Sequence, residues 1–310
     1  MEPRLMRLFT VPEKTKAGYS FADTPVRVSL KEAKTVVYGV PLDATTSFGK
    51  GTARGPEAIR MTSARQIETF VLDEGADIYE MNSIFDLGNL KMPKASVAKT
   101  LAFLDKTIPE VVGALRKDGK VPVMLGGEHT LSYYQLKALA DEKPFVVHFD
   151  AHRDMKPEYE GMEFCHTTPF YHILKHMPGK NLVQIGIRQA DRQENDFAAK
   201  NGVTTFDAWQ VHDDISRVAS YLKVTTAGRN VYISFDIDVY DLPYVPCTGT
   251  PEPYGLDPFQ ALYLLKAIHP TARLVGMDMV EVGLKNNDYR EGALATQTLL
   301  RILSRRYSRP

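Results

Sequence analysis

The chain has 310 residues, of which 44% are hydrophobic, 25% charged and 10% aromatic, the proportions of an ordinary folded protein. Its 38 Lys plus Arg balance 38 Asp plus Glu, so no net charge draws it toward a nucleic acid or an anionic membrane. Cys165 and Cys247 are too few for a disulfide framework and lack zinc-type spacing, Met1-Glu2-Pro3-Arg4-Leu5 has no apolar stretch of secretory length, and no run is long enough to span a membrane. The expected setting is the cytoplasm, without a membrane partner.

In chain order, the first β-branched apolar run, Thr35–Val40, predicts a strand. Leu101–Leu115 predicts a long amphipathic helix that stops before Lys117-Asp118-Gly119. A second strand is predicted at Val121–Leu125, with a helix at Leu131–Ala140 directly behind it. Strands follow at Phe145–Phe149, Leu182–Ile187, Val231–Phe235 and Leu274–Met279. Between the last two, Asp257-Pro258-Phe259-Gln260 reads as N-cap, first-turn proline and capping-box glutamine of a helix running to about Ile268. The strand runs are nearly continuous in apolar character, which suits a sheet covered on both faces. Alternating strands and helices predict an α/β fold of three αβα layers around a central, mostly parallel sheet. With no repeat or long linker, residues 1–310 are expected to form one domain.

Ligands of such sheets bind outside the carboxyl ends of the strands. The unusual residues collect there: Gly126-Gly127-Glu128-His129, Asp150-Ala151-His152-Arg153-Asp154, Asp236-Ile237-Asp238 and Val280-Glu281-Val282. In extended backbone, residues two apart project to one side, so Asp150, His152 and Asp154 crowd together, as do Asp236 and Asp238. Four carboxylates in one pocket repel one another unless cations neutralise them. Two divalent ions cancel four negative charges, and oxygen-rich ligands with two imidazoles and no thiolate favour Mn²⁺ or a similar ion over structural zinc. A lone histidine or a lone Asp-x-Asp carries no such message; their joint occurrence after three apolar strands does.

These blocks resemble the three signatures of the ureohydrolase (arginase/agmatinase) family, in Val123–His129, His148–Asp154 and Ser234–Asp238. Further blocks are similar in the same order: Gly39–Asp43, Thr46-Ser47-Phe48, Gly51-Thr52, Gly55–Arg60, Gly249–Pro253 and Val280-Glu281-Val282. The resemblance implies an arginase-like fold and two Mn²⁺ per subunit. One ion would be held by His129, Asp150, Asp154 and Asp236, the other by Asp150, His152, Asp236 and Asp238. It further implies that Glu281 holds the guanidinium of a small-molecule substrate, that His166 shuttles protons, and that the chain works as a homo-oligomer, trimer or hexamer. The implied activity is release of urea from a guanidino compound.

Met155–Glu163, just past the Asp-x-His-x-Asp block, resembles the agmatinase form, acidic and containing Tyr159-Glu160-Gly161. Agmatine, cleaved to putrescine and urea, is therefore the first expectation. Arginine, guanidino acids and formiminoglutamate remain open as substrates, and a family member retired from catalysis into a binding subunit remains the alternative of another class. Cys247, Tyr254, Gly283-Leu284 and Tyr171-His172 depart from the usual family text. Glu252 reads equally as an amine contact or as a structural residue of its Pro-rich loop. Arg188 reads as a structural ion pair before a substrate contact, and His148, inside an apolar strand, as a core residue or one behind the ligands.

Overall fold

The molecule is described by a computed structural model over residues 2–14, 18–23 and 28–305; the remaining residues of the expected 1–310 domain lie outside this description. The central sheet contains β1 (Phe9–Thr10), β2 (Thr35–Gly39), β3 (Ile84–Leu90), β4 (Val121–Leu125), β5 (Phe145–Phe149), β6 (Leu182–Ile187), β7 (Thr204–Asp207), β8 (Asn230–Asp236) and β9 (Arg273–Val280). Their spatial order is β1-β3-β2-β4-β9-β8-β5-β6-β7. Only β1 runs antiparallel to its neighbour; the other pairs are parallel. β4 and β5 follow one another in sequence, yet β9 and β8 lie between them. That reversal of winding opens a crevice at the carboxyl edge.

Helices cover both faces. Against one lie α1 (Gly55–Arg65), α5 (Ile215–Thr226), α6 (Pro258–Ala267) and α7 (Arg290–Ser304), which bury Ile59, Leu222, Leu264 and Leu299 on the sheet. The opposite face receives α2 (Val97–Lys117), α3 (Thr130–Ala138) and α4 (Arg192–Lys200) through Leu104, Ile108, Leu131 and Ala198. This is the three-layer αβα architecture that the alternation of elements predicts. The box at α6 forms as read: the Asp257 carboxylate accepts from the Gln260 N–H at 2.8 Å, and the Gln260 side-chain carbonyl accepts from the Asp257 N–H at 3.0 Å.

Three strands of the central sheet, the two-residue β1 and the longer β3 and β7, escape the apolar-run criterion. β3 is interrupted by Asp86 and Asn89, whose polarity reflects a partner rather than exposure. Arg60 of α1, fully buried, donates Nε and Nη2 to the two Asp86 oxygens at 2.8 Å each. A bidentate pair of this kind satisfies charges that would otherwise be prohibitive in the interior. β7 is a short Thr-Thr-Phe-Asp edge with little apolar signal. Among the described residues no helix is long and apolar enough to cross a membrane.

Candidate metal centre

Each block at the carboxyl edge is aimed by the strand that precedes it. Beyond β4, the chain threads between the Val40–Leu42 segment and the end of β9. A Cβ on Gly127 would stand 1.8 Å from the Leu42 carbonyl oxygen, and one on Gly126 2.6 Å from the Val280 side chain. Only glycines pass, and they deliver His129 to the mouth of the crevice just before α3. The adjacent Glu128 turns away and accepts from the Thr45 N–H at 2.7 Å and from the Thr45 and Thr130 hydroxyls, pinning the 42–48 loop beside the site.

His129, Asp150, Asp154 and Asp236 meet at one point. The His129 Nδ1 lies 3.1 Å from Asp150 Oδ2, 3.0 Å from Asp154 Oδ2 and 3.1 Å from Asp236 Oδ2. A second grouping adjoins it: His152 Nδ1 is 3.1 Å from Asp238 Oδ2 and 3.6 Å from Asp150 Oδ1. Asp150 thus presents one oxygen to each imidazole. Backbone amides fix the remaining oxygens, with His152 N–H donating to Asp150 Oδ1 at 2.6 Å, Asp238 N–H to Asp236 Oδ1 at 2.9 Å and Ala151 N–H to Asp238 Oδ1 at 3.1 Å. The expected six residues are brought together.

Two buried atoms in this cluster, His129 Nδ1 and Asp238 Oδ2, have no directed hydrogen bond. An unsatisfied buried polar atom costs roughly 1–3 kcal/mol, and both of these point into space shared with carboxylates or imidazole. A cation coordinated there resolves both, so the donor set fits metal ions; Asp150, His152 and Asp238 can converge on one. Titration agrees. Burial opposes charge on His129 and His152, but the facing carboxylates outweigh it and raise both pKa values well above the ordinary imidazole. Burial, reinforced by Asp150, pushes Asp154 up to about 7, and burial with Asp238 and Asp150 raises Asp236 well above the carboxylate range. Burial pulls Asp150 upward too, but His148, His129 and His152 all face it and hold it well below the carboxylate range. Without cations the cluster retains protons, which metal binding displaces.

His148 sits inside β5, as its apolar neighbours suggest. Its Nδ1 accepts from Gln184 Nε2 at 3.1 Å, so its Nε2–H donates to Asp150 Oδ2 at 2.7 Å, while its ring stacks on Phe170. Burial lowers its pKa to about 4, leaving a neutral ring that orients Asp150 from behind.

Glu281 and His166 flank the cluster. Glu281 Oε1 accepts the His129 N–H at 2.8 Å; among the described residues nothing hydrogen-bonds Oε2, which faces the bare α-carbon of Gly249. Glu281 has φ of 59° and Asp154 of 52°, left-handed values that strain residues bearing a Cβ. Such outliers mark places where geometry is held for function. His166 Nε2 accepts the Ser47 N–H at 3.1 Å and lies 3.0 Å from the Ser47 hydroxyl. Burial, with His152 and His129 nearby, lowers its pKa to about 4, so the ring is neutral at physiological pH.

Arg188 departs from the expected ion pair. Among the described residues no carboxylate pairs with it. Its guanidinium is spent on backbone carbonyls, among them Asp238 at 2.6 Å, Glu252 at 2.9 Å and Pro253 at 2.9 Å. A half-buried guanidinium needs acceptors, and here the site's own loops supply them as main chain. Glu252 is held by that contact, with its carboxylate 3.9 Å from the outer nitrogen of His152. The unusual Cys247 and Gly283 are a matched pair: a Cβ on Gly283 would stand 1.9 Å from the Cys247 carbonyl oxygen. Glu291 at the start of α7 accepts the N–H groups of Cys247, Thr248 and Gly283, tying together the two loops that hold Gly249 and Glu281. Sequence reasoning misses this clamp, the Ser47 contact with His166 and the Glu128–Thr45 latch; a Thr-Thr-Ser run in a loop is the available signal for the last two.

A mostly parallel αβα sheet with an imidazole–carboxylate cluster at its switch point defines a metallohydrolase-like centre on an arginase-like fold. A family model described as Arginase family matches residues 33–303. The chain is 34% identical over 82% of its length to an agmatinase of Pyrococcus horikoshii, covering 86% of that protein. It is 37% identical to an N(1)-aminopropylagmatine ureohydrolase of Thermus thermophilus, over 84% of this chain and 85% of the relative. Among solved structures, agmatine ureohydrolase of Thermoplasma volcanium superposes with a TM-score of 0.83 at 28% identity, over 98% of this chain and 97% of that one. The chain belongs to the arginase family.

Proposed function

We propose that the chain is a binuclear manganese hydrolase that cleaves a guanidino group to release urea, with agmatine as substrate and putrescine as co-product. The observation that carries this reading is the convergence of His129 Nδ1 with three carboxylate oxygens at 3.0–3.1 Å beside Asp238 Oδ2, which faces His152 Nδ1 at 3.1 Å without a directed hydrogen bond. His129, Asp150, Asp154 and Asp236 would hold one ion, and Asp150, His152, Asp236 and Asp238 the other. When bound, such a pair supplies Lewis acidity and lowers the pKa of water to near neutrality.

The chain's own residues do the rest. A guanidinium is a planar fork of donors with its charge spread over three nitrogens, hence a poor electrophile that must be held in place. Glu281, with Oε2 free, accepts that fork and fixes its carbon over the cluster. An amine departs readily only once protonated, and neutral His166, steadied by Ser47, would take up the proton that the attacking water loses and pass it to the departing nitrogen. The half-buried Glu252 carboxylate beside His152 suits a substrate tail ending in an amine, and disfavours one ending in a carboxylate. The Thermus relatives support a second reading, in which the tail is the longer N(1)-aminopropylagmatine. Six intact ligand positions with Glu281 and His166 speak against a retired binding subunit. We read residues 1–310 as one catalytic domain, active as a cytoplasmic homotrimer or homohexamer.

The test is urea release after loading with Mn²⁺, over agmatine, N(1)-aminopropylagmatine, arginine, guanidinobutyrate, guanidinopropionate and formiminoglutamate (for the last, formamide). Cleavage of an amine-tailed guanidine is expected; silence on every compound by a metal-replete chain overturns the reading. Glu281→Ala should retain both ions and lose about 3 kcal/mol of transition-state stabilisation, roughly a hundredfold in kcat/KM. Full activity in that variant would remove the clamp assignment.

A further inference from the structure

Below the metal centre, one face of the sheet carries an unbroken chain of buried polar groups. His129 Nε2, the ring nitrogen opposite the cluster, lies 3.2 Å from Ser234 Oγ of β8. Ser234 donates its hydroxyl proton to Asp278 Oδ1 of β9 at 2.8 Å. The other Asp278 oxygen accepts the Tyr232 hydroxyl, which in turn accepts from Gln135 Nε2 of α3 at 2.8 Å. Gln135 is fixed by donating to the Met277 carbonyl at 2.7 Å and by accepting the Tyr38 hydroxyl. Tyr38, Tyr232, Ser234, Asp278, Gln135 and His129 are all buried, and no cation pairs with Asp278 among the described residues.

The polarity of these bonds is fixed from both ends. Gln135 Nε2 can only donate, so the Tyr232 oxygen is an acceptor there and its proton must go to Asp278. Asp278 is the sink at which donors terminate, Tyr232 from one side and Ser234 with Ser132 from the other. Ser234, having given its single proton to Asp278, can only accept from His129. The proton of the neutral imidazole therefore sits on Nε2, and the Nδ1 lone pair is left facing Asp150, Asp154 and Asp236. Ser132 Oγ, at 3.5 Å from Ser234, is too far to divert that proton.

We propose that Asp278 is a positioning residue for the metal centre: acting through Ser234, it fixes the His129 tautomer that presents a lone pair to the ion. This rests on the metal assignment proposed above, and it extends the known tendency of ligating imidazoles to lean on a carboxylate by interposing a hydroxyl. It also accounts for an acid in the middle of an otherwise hydrophobic strand, where a leucine or methionine would pack at no electrostatic cost.

The isosteric change Asp278→Asn makes the inference testable. An amide has one acceptor and one donor side. Tyr232, held by Gln135, claims the carbonyl, so the amide N–H meets Ser234. The Ser234 proton then turns to His129 Nε2 and drives the imidazole proton onto Nδ1, into the cation's place. In Mn²⁺ titrations followed by elemental analysis and electron paramagnetic resonance, the wild-type chain should bind two ions with an exchange-coupled signal. Asp278→Asn should bind one of the two about 10–100-fold more weakly and show an isolated-Mn²⁺ signal. Ser234→Ala, which breaks the same relay and guards against a folding defect in the first variant, should behave alike. Tyr232→Phe removes a hydrogen bond to the same acid without touching the relay, so it should cost stability but keep both ions. Two ions held with unchanged affinity in Asp278→Asn and Ser234→Ala would overturn the inference, as would an equal loss of metal in Tyr232→Phe. A wild-type chain that takes up no Mn²⁺ would instead remove the metal assignment on which it stands.

Discussion

The two faces of one sheet are built on opposite terms. Toward α1, α5, α6 and α7 the central strands present Val147, Phe149, Ile233, Phe235, Met277 and Met279, all hydrocarbon or thioether. Alternate positions of the same strands, toward α2 and α3, carry His148, Tyr232, Ser234 and Asp278, with Gln184 on β6. Side chains two apart share a face, so the polar face runs straight on into Asp150 beyond β5 and Asp236 at the end of β8. The metal ligands are the last rungs of a polar ladder that begins several residues inside the sheet. The hydrocarbon face stabilises the fold, and the polar face aims the ligands.

That division makes strong demands on substitutions. The largest effect belongs to Asp236, the rung shared by both ion assignments: Asp236→Ala should empty the centre and lower kcat/KM by about 10³-fold or more, on the order of 4 kcal/mol. Elemental analysis alongside urea release checks this, and a variant retaining two ions would break the ladder description at its end. Its neighbour Phe235 points to the other face, wholly buried. Phe235→Ala should lose about 3–5 kcal/mol of stability to an unfilled cavity, seen as a lower melting temperature, while the folded fraction keeps its metal. If metal content fell with stability in proportion, the two faces would not be separable.

The smallest effect concerns an acid that the hydrocarbon side carries near the crevice. Burial pushes Glu291 up to about 7 from its ordinary 4.5, although three backbone N–H groups pull it down. The folded chain thus binds a proton that the unfolded chain releases. Its contribution to stability is complete below pH 4.5 and is lost as pH rises through 7, at no more than about 1.4 kcal/mol per unit. Between about pH 5 and 7.5 the wild type should lose more melting temperature per pH unit than Glu291→Gln, the difference in slope being that of one proton. An unchanged slope in the variant would place the effect elsewhere.

How much of this was legible beforehand follows the same division. Strand ends could be read because acids and histidines follow directly on apolar runs and four carboxylates in one place demand a cation, although the extended backbone expected for them does not form: residues 237–239 make a 3-10 turn and Asp154 is left-handed. Asp278 and Ser234 stand in the runs that gave away β9 and β8, yet each is a single polar residue in an apolar stretch. Its meaning lies in a neighbour on another strand, which sequence order does not display. Arg188 misled for a related reason: carbonyl oxygens are present at every residue, so a guanidinium satisfied by main chain has no counterpart to find. β3 was hidden because the residues that interrupt it, Asp86 and Asn89, are polar for the sake of Arg60 on a distant helix.

The left-handed backbone at Glu281 has an outcome for anyone who selects variants of this chain for heat resistance. A side chain at positive φ holds about 1–3 kcal/mol in reserve, and burying this carboxyl among other acids adds a further cost; glycine would release both, against the loss of one hydrogen bond to the His129 N–H. Libraries screened on melting behaviour alone would therefore enrich the Glu281→Gly change, and with it hardier molecules that have discarded their grip on the substrate.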